Sequence, residues 1–409
     1  MSFETSLTGL NAASADLDVT GNNIANSATT GFKYSRAEFA DIFASTSSGV
    51  SANAIGQGVR LANVSQQFSQ GQFDFTSNNL DMAISGNGFF RTSQGGEISY
   101  TRNGAFQLDR DGYVVDADGR HLTGFTANNA GAITGALGDL QVNTGNIDPS
   151  ESTEVDITAN LNAAAEDLDA AGAPAFDTAD PQPEQYNFST STTVYDSLGT
   201  DHLGTFYFRK TGANTWDTYF QVDGNAATGP TQLQFNADGT FNQVGGGGST
   251  AVYNQALTNG ADPLNLTVDY QSLSQFGTPF AVNDLAQDGY AAGEFSSVGI
   301  ERDGRMFARY SNGQSQLLGQ VALTRFSSPQ NLQEVGDTRW VETAAAGTPV
   351  NTAPGNSGVG TLQSGALEQS NVNLTEQLVQ MITAQRNFQA NSQAISTQSE
   401  ITQNVLQIR

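Results

Sequence analysis

Apolar positions follow two different periods along this chain. Near the start, Phe3, Leu7, Leu10, Ser14, Leu17, Gly21 and Ile24 alternate steps of four and three, the a/d spacing of a helix seam. The spacing returns at Leu374, Leu378, Met381, Gln385, Phe388, Ser392 and Ile395, and Ile401, Val405 and Ile408 continue it after a change of phase. No proline interrupts either stretch, so the pattern predicts one helix at each end. The first should close near Asn26, because Asn tolerates the left-handed backbone that ends helices. A lone amphipathic helix is marginal in water, whereas two of matched period can bury each other's stripe. Residues 367–409 hold only Glu368, Glu376, Arg386, Glu400 and Arg409 as charges, fewer than a solvated outer face usually carries. The termini are therefore expected to pair as a coiled-coil assembly element packed against neighbours. Its seam would be Phe3, Leu7, Leu10, Leu17, Ile24, Leu374, Leu378, Met381, Phe388 and Ile395.

Between the helices the period changes to two. Stretches such as "GAFQLDRDGYVVDADGRHLTGF" and "GTFYFRKTGANTWDTYFQVDG" alternate apolar and polar residues between Asp-Gly and Asn-Gly turns, a hairpin signal. The expected fold is a mainly β multidomain chain with helical termini, discontinuous domains and a nested β insertion. Residues 145–289 stand apart by charge, with 19 Asp and Glu against Arg209 and Lys210. This stretch opens on the Ala- and Pro-rich "AAAEDLDAAGAPAFDTADPQPEQ" and is expected to be an acidic outer β domain. The expected division is 1–28 with 367–409 as the helical domain, 29–71 with 359–366 as connectors, and 72–144 with 290–358 as a β-rich middle domain.

Composition narrows the functions open to such a chain. The formal charge is −25 with 16 Lys and Arg, which disfavours nucleic acid and anionic lipid as partners. Cysteine is absent, and His121 and His202 are the only histidines, so thiolate chemistry, histidine metal sites and histidine triads have almost no material. No nucleophile elbow, P-loop or dinucleotide fingerprint occurs. "DRDG" at 109–112, "DADG" at 116–119 and "ERDG" at 301–304 resemble pieces of calcium loops but lack the full ligand spacing, and hairpin turns account for them. Neither catalysis nor a cofactor is expected. No apolar run approaches a membrane span, and the start shows no cleavable signal pattern.

Four stretches in order resemble the bacterial flagellar rod and hook axial protein family. They are Asn22-Asn23-Ile24-Ala25-Asn26 with Gly31, Phe32 and Lys33; "LDMAISGNGFF" with the hairpins after it; "GQVALTRFSSPQNLQEVG"; and "SGALEQSNVNL", which supplies Ser364, Gly365, Leu367, Glu368, Ser370, Asn371 and Val372. The insertion, with "TVYDSLGTDHLGTFYF", looks like the outer domain of the hook members. The resemblance implies a homo-polymeric tube with paired helices inside, acting as a universal joint between rod and filament. It also implies type III export without a cleaved signal, an extracellular flagellar location, and rod, hook-cap and hook–filament junction proteins as partners. A distal rod or junction protein is the alternative within the family. A secreted acidic calcium-binding β protein or adhesin is the alternative outside it. The free subunit is expected to be protected from protease over a core near 72–358, with mobile ends.

Overall fold

The computed structural model describes residues 3–42, 56–128 and 131–407; Ile408 and Arg409 of the sequence reading lie outside these. The chain is mainly β, with the N- and C-terminal helices in contact. It forms two compact units, one from Met1–Thr144, Ser297–Arg309 and Ser315–Arg409, the other from Gly145–Ser296 with Tyr310–Gln314.

In the first unit, α1 (Phe3–Ala25) and α2 (Leu374–Gln407) run antiparallel, with Asn23 bonded to Gln377 at one end and Gly9 against Asn391 further along. The face α1 buries is Ser6, Ala13 and Thr20, a seven-residue repeat of small side chains, and α2 answers with Gln377 and Ala384. Gly9 leaves room for the Asn391 amide, whose Oδ1 a Cβ there would approach to 2.7 Å. Small residues let backbones come together, and large ones are pushed to the flanks. The helices do not close on the expected large apolar seam. Leu10, Leu17, Ile24, Met381, Phe388 and Ile395 are half-buried, and Phe3, Leu7, Leu374 and Leu378 are exposed.

The stretch expected as a connector is partly ordered sheet. Ser35–Asp41 pairs antiparallel with Val59–Gln66 as a hairpin packed beside α1. On the return, Thr361–Ser364 pairs with Met82–Ser85, and Ala366–Glu368 with Phe73–Phe75. Both faces of Val59–Gln66 are largely open, so the strand carries no alternation for a period-two reading to find. Beyond it, Ser315–Val321, His121–Ala127, Phe89–Gln94, Glu97–Thr101, Arg339–Val341 and Gln333–Gly336 hydrogen-bond in that order, interleaving the two halves of a discontinuous domain. An aromatic cluster of Phe68, Phe89, Tyr100, Phe326 and Trp340 in edge contact fills its core. The Asp-Gly turns use their carboxylates locally: Asp109 Oδ1 accepts from the backbone of Asp111 and Tyr113, and Asp116 Oδ1 from that of Asp118 and Arg120.

The second unit packs two five-stranded sheets around one core that includes Ile157, Leu161, Phe206, Phe208, Trp216, Phe220, Leu266 and Tyr270. One sheet is an antiparallel meander from Phe188–Tyr195 to Phe241–Val244. The other centres on Glu154–Asn162, parallel to Leu264–Asp269 and antiparallel to Ala281–Gln287. The unit ends at Ser296 rather than 289, because bridges Ile147–Gly293 and Ser150–Tyr290 tie its entering and leaving segments. Its two cations are adjacent on one strand, so they point to opposite faces, and both are buried. Arg209 donates to Pro174 O, Gln185 O and Asp169 Oδ1, while Lys210 Nζ donates to Ala163 O and Ala165 O. The strandless Ala- and Pro-rich passage is thus strapped to the sandwich by these two side chains.

His202 in this unit stands between Asp196, 3.1 Å from Nε2, and Asp223 at Nδ1. Burial works against its charged form, but hydrogen bonds to Asp223 and Asp196 outweigh burial and raise its pKa above the usual 6.5. Burial likewise pushes Asp196 up, yet bonds from His202, Asn259 and the backbone hold it at about 2. A raised histidine pKa gives stability that is complete below the unfolded value and fades as pH climbs through the folded one. The lowered aspartate contributes above its usual 3.8 and is lost as pH falls toward about 2. The second unit should therefore unfold at its highest temperature between about pH 4 and 6.5 and weaken on the alkaline side. With Trp216 as the sole tryptophan (Trp340→Phe), His202→Gln should flatten that alkaline limb. A parent midpoint that stays constant across the limb would contradict the assignment.

Candidate assembly junction

Where α1 ends, the asparagines have separate tasks. Asn26 Nδ2 donates back to Asn22 O and Oδ1, and Thr29 Oγ1 donates to Asn26 Oδ1, closing the helix with local side-chain bonds. Asn23 is buried and uses both ends of its amide. Nδ2 donates to Ser35 O (2.7 Å) and Gln377 Oε1 (2.9 Å), and Oδ1 accepts from Ser35 N (2.9 Å). Only a short amide can donate twice and accept once from this position; Asp lacks the donors. One side chain thereby ties α1 to the first strand and to α2.

Gly31 follows at φ +73°, and a Cβ there would lie 2.5 Å from the backbone nitrogen of Asn103. The turn it permits sends Phe32 and Lys33 inward, and both are buried. Lys33 Nζ lies 2.6 Å from Glu368 Oε1 and 2.8 Å from Ser69 O. Glu368 Oε2 meets Arg102 NH1 at 3.1 Å, and Oε1 also accepts from Gly71 N at 2.9 Å. Arg102 NH2 donates to Gly86 O, and its guanidinium stands 5.5 Å from the Phe89 ring centroid. The Lys33 and Glu368 side chains have no exposed surface, and Arg102 is 3% exposed. Asn371 completes the joint: Oδ1 accepts from Tyr34 N, and Nδ2 donates to Gln67 O and Ser69 O.

Two cations share one anion here, and water reaches none of the three charges. Desolvation pushes Lys33 down from its ordinary pKa, the Glu368 charge pulls it back up, and Arg102 adds to the depression. Desolvation also lowers Arg102, against the pull of Glu368. The arrangement offers no activated nucleophile. What it does is mechanical, pinning the segments around residues 31–34, 67–71, 86, 102 and 368–371 to one point at the root of both helices.

Models of known families cover most of the chain: the flagellar basal body rod protein over 3–33, the flagellar hook protein FlgE/F/G D1 domain over 83–161, the flagellar basal body protein FlaE D2 domain over 160–290, and the flagellar basal body rod FlgEFG C-terminal region over 363–408. The flagellar hook protein FlgE of Escherichia coli is 39% identical over 425 residues and that of Salmonella typhimurium 38% over 427, each match spanning all of both chains. The chain belongs to the flagellar hook protein FlgE family. A crystal structure of Helicobacter pylori flagellar hook protein FlgE2 superposes with a TM-score of 0.54 at 15% identity, covering 72% of this chain and all of that one, and so shares its fold.

Within this FlgE-family chain the junction gathers Asn23, Gly31, Phe32 and Asn371 of the signature. Ser364 and Gly365 lie nearby on another segment. Ser364 Oγ donates to Asn79 O, and Gly365, at φ +68°, donates to Asp81 O and accepts from Thr76 N. Ala25 is exposed, while Ile24 and Leu367 are half-buried. Sequence reasoning placed Lys33 and Glu368 in the two terminal signatures but missed that they meet, with Arg102, in one constellation. The available signal was scarcity, since Lys33 is one of only two lysines and sits in a stretch poor in charge.

The two ways of breaking the triad should differ. Glu368→Gln leaves two buried cations facing each other and should lower the stability of the first unit by about 3–5 kcal/mol. Lys33→Met leaves a one-to-one pair and should cost clearly less. Urea unfolding followed by Trp340 in a Trp216→Phe background measures both. Equal losses would show that the charge balance is unimportant.

Proposed function

We propose that this chain is a structural subunit of the bacterial flagellar hook, outside the cell body, where many copies form a tube between rod and filament. The observation that carries this reading is the exposed apolar face of the helix pair. Leu7, Leu374, Leu378, Val379 and Ile382 are 40–60% exposed on helices whose mutual face is small and polar. Leu374, Leu378, Val379 and Ile382 follow one another on one side of α2; an exposed apolar patch of this kind marks an association surface, and copies of the same helices are its natural cover. Of the seam set out from the sequence, Phe3, Leu7, Leu374 and Leu378 then act between subunits rather than within one. Asn, Gln, Ser and Thr around it let neighbours exchange one hydrogen bond for another as the tube bends, which suits a universal joint transmitting torque; an interface held mainly by buried ion pairs would resist that exchange. Rod, hook-cap and junction proteins and the type III export apparatus are its partners on this reading.

Leu7→Asp or Leu378→Asp should leave the monomer's circular dichroism unchanged and abolish tubes in negative stain, because a carboxylate in a dry seam is costly to bury. Tubes of normal length from both variants would sink the reading.

The free subunit should also lose its helices to protease first, since α2 buries only Gln377 and Ala384 among its described side chains. The pinned junction moves the expected protected core outward from 72–358 to about 31–371. Mass spectrometry of the digest checks this; helices as resistant as the sheet would contradict it.

A further inference from the structure

The helix pair is so poor in charge that each charge on it is informative. Among the described residues α1 and α2 hold the carboxylates of Glu4, Asp16, Asp18, Glu376 and Glu400 and a single cation, Arg386. Arg386 is exposed and has no hydrogen bond or ion pair among the described residues. It lies four residues beyond Ile382 and seven beyond Val379, so the three share one face of α2. Ile382 and Val379 are 50% and 60% exposed. One guanidinium thus sits within an apolar stripe. If that stripe is covered in a polymer, as the proposed function requires, the guanidinium leaves water with it. A cation buried without a partner is strongly unfavourable, so a carboxylate has to meet it.

We propose that Arg386 of one subunit pairs with Asp18 of a second copy of this chain, across the layer of helices. Asp16 is already engaged inside the subunit, accepting from Gln380 at 3.5 Å. Asp18 is exposed and has no partner among the described residues. The antiparallel helices set Asn23 beside Gln377 and Gly9 beside Asn391, which puts Arg386 level with Ser14 of α1. For a second copy lying alongside at the same height, Asp18 is then about 6 Å away along the axis, within reach of an arginine stem. Glu4 and Glu376 are each about 15 Å away in height, and Glu400 about 21 Å. Asp18 is the nearest free carboxylate in height. The pair also fixes register: the apolar stripe alone tolerates axial slippage, whereas one charge pair in a neutral surface selects one offset.

The test rests on the tube-forming reading and is built to separate the two. The full-length parent, Arg386→Glu, Asp18→Arg and the doubly reversed variant are compared by sedimentation and negative stain, with circular dichroism of each free subunit as a folding control. Each single reversal should raise the critical concentration for assembly at least about tenfold, and the double reversal should bring it back to within about threefold of the parent. Arg386→Gln, which no longer attracts Asp18 and does not repel it, should fall between. Arg386→Glu assembling like the parent, or a double variant as impaired as the single ones, overturns the pairing and leaves the tube-forming reading standing. A parent that forms no tubes removes that reading and this inference together.

Discussion

A glutamate sealed from water between a lysine and an arginine fixes where the two ends of this chain meet. Lys33 and Glu368 are 335 residues apart in sequence, and closing a loop of that length has to be offset by contacts at the closure. The triad is an improbable source of net stability, because desolvating three charges cancels much of their attraction. Its value is discrimination. Any arrangement that leaves one of the charges unmatched is penalised heavily, so the correct meeting of 31–34, 67–71 and 368–371 is favoured over near alternatives. Asn23 and Asn371, each using every polar atom of its side chain, extend that discrimination to the first strand and to the helices.

From this root the helices leave with two faces of different character. The inner face is small or polar; the outer face carries Leu374, Leu378, Val379 and Ile382. A subunit built the other way round would be content alone. On the proposed function the exposed apolar side chains of the helices are kept for other copies, while the sheet domains hold conventional cores of their own. Stability within the subunit and association between subunits therefore rest on separate residues, and each can change without erasing the other.

Much of this was legible in the sequence, for identifiable reasons. The helices announce themselves because their period persists over many turns, and the hairpins because Asp-Gly turns require glycine at positive φ, as at Gly112 and Gly119. Which face of each helix turns inward was not legible: leucines mark burial, but not whether a partner helix or another molecule provides it. The pairing of Ser35–Asp41 with Val59–Gln66 was hidden because, apart from Ser65, no residue of either strand is buried, and a strand without a buried face leaves little apolar pattern. The triad was hidden for another reason. Its three members stand alone in the sequence, and only the folded topology brings them together.

The chain has two lysines, and both are inside. Lys33 is sealed in the junction and Lys210 holds a loop to the sandwich, so no lysine ammonium is left on the surface. Reagents that acylate amines, from fluorescent esters to bifunctional linkers, meet no lysine handle on the folded molecule. Any lysine that does become labelled reports that one of these two anchors has opened.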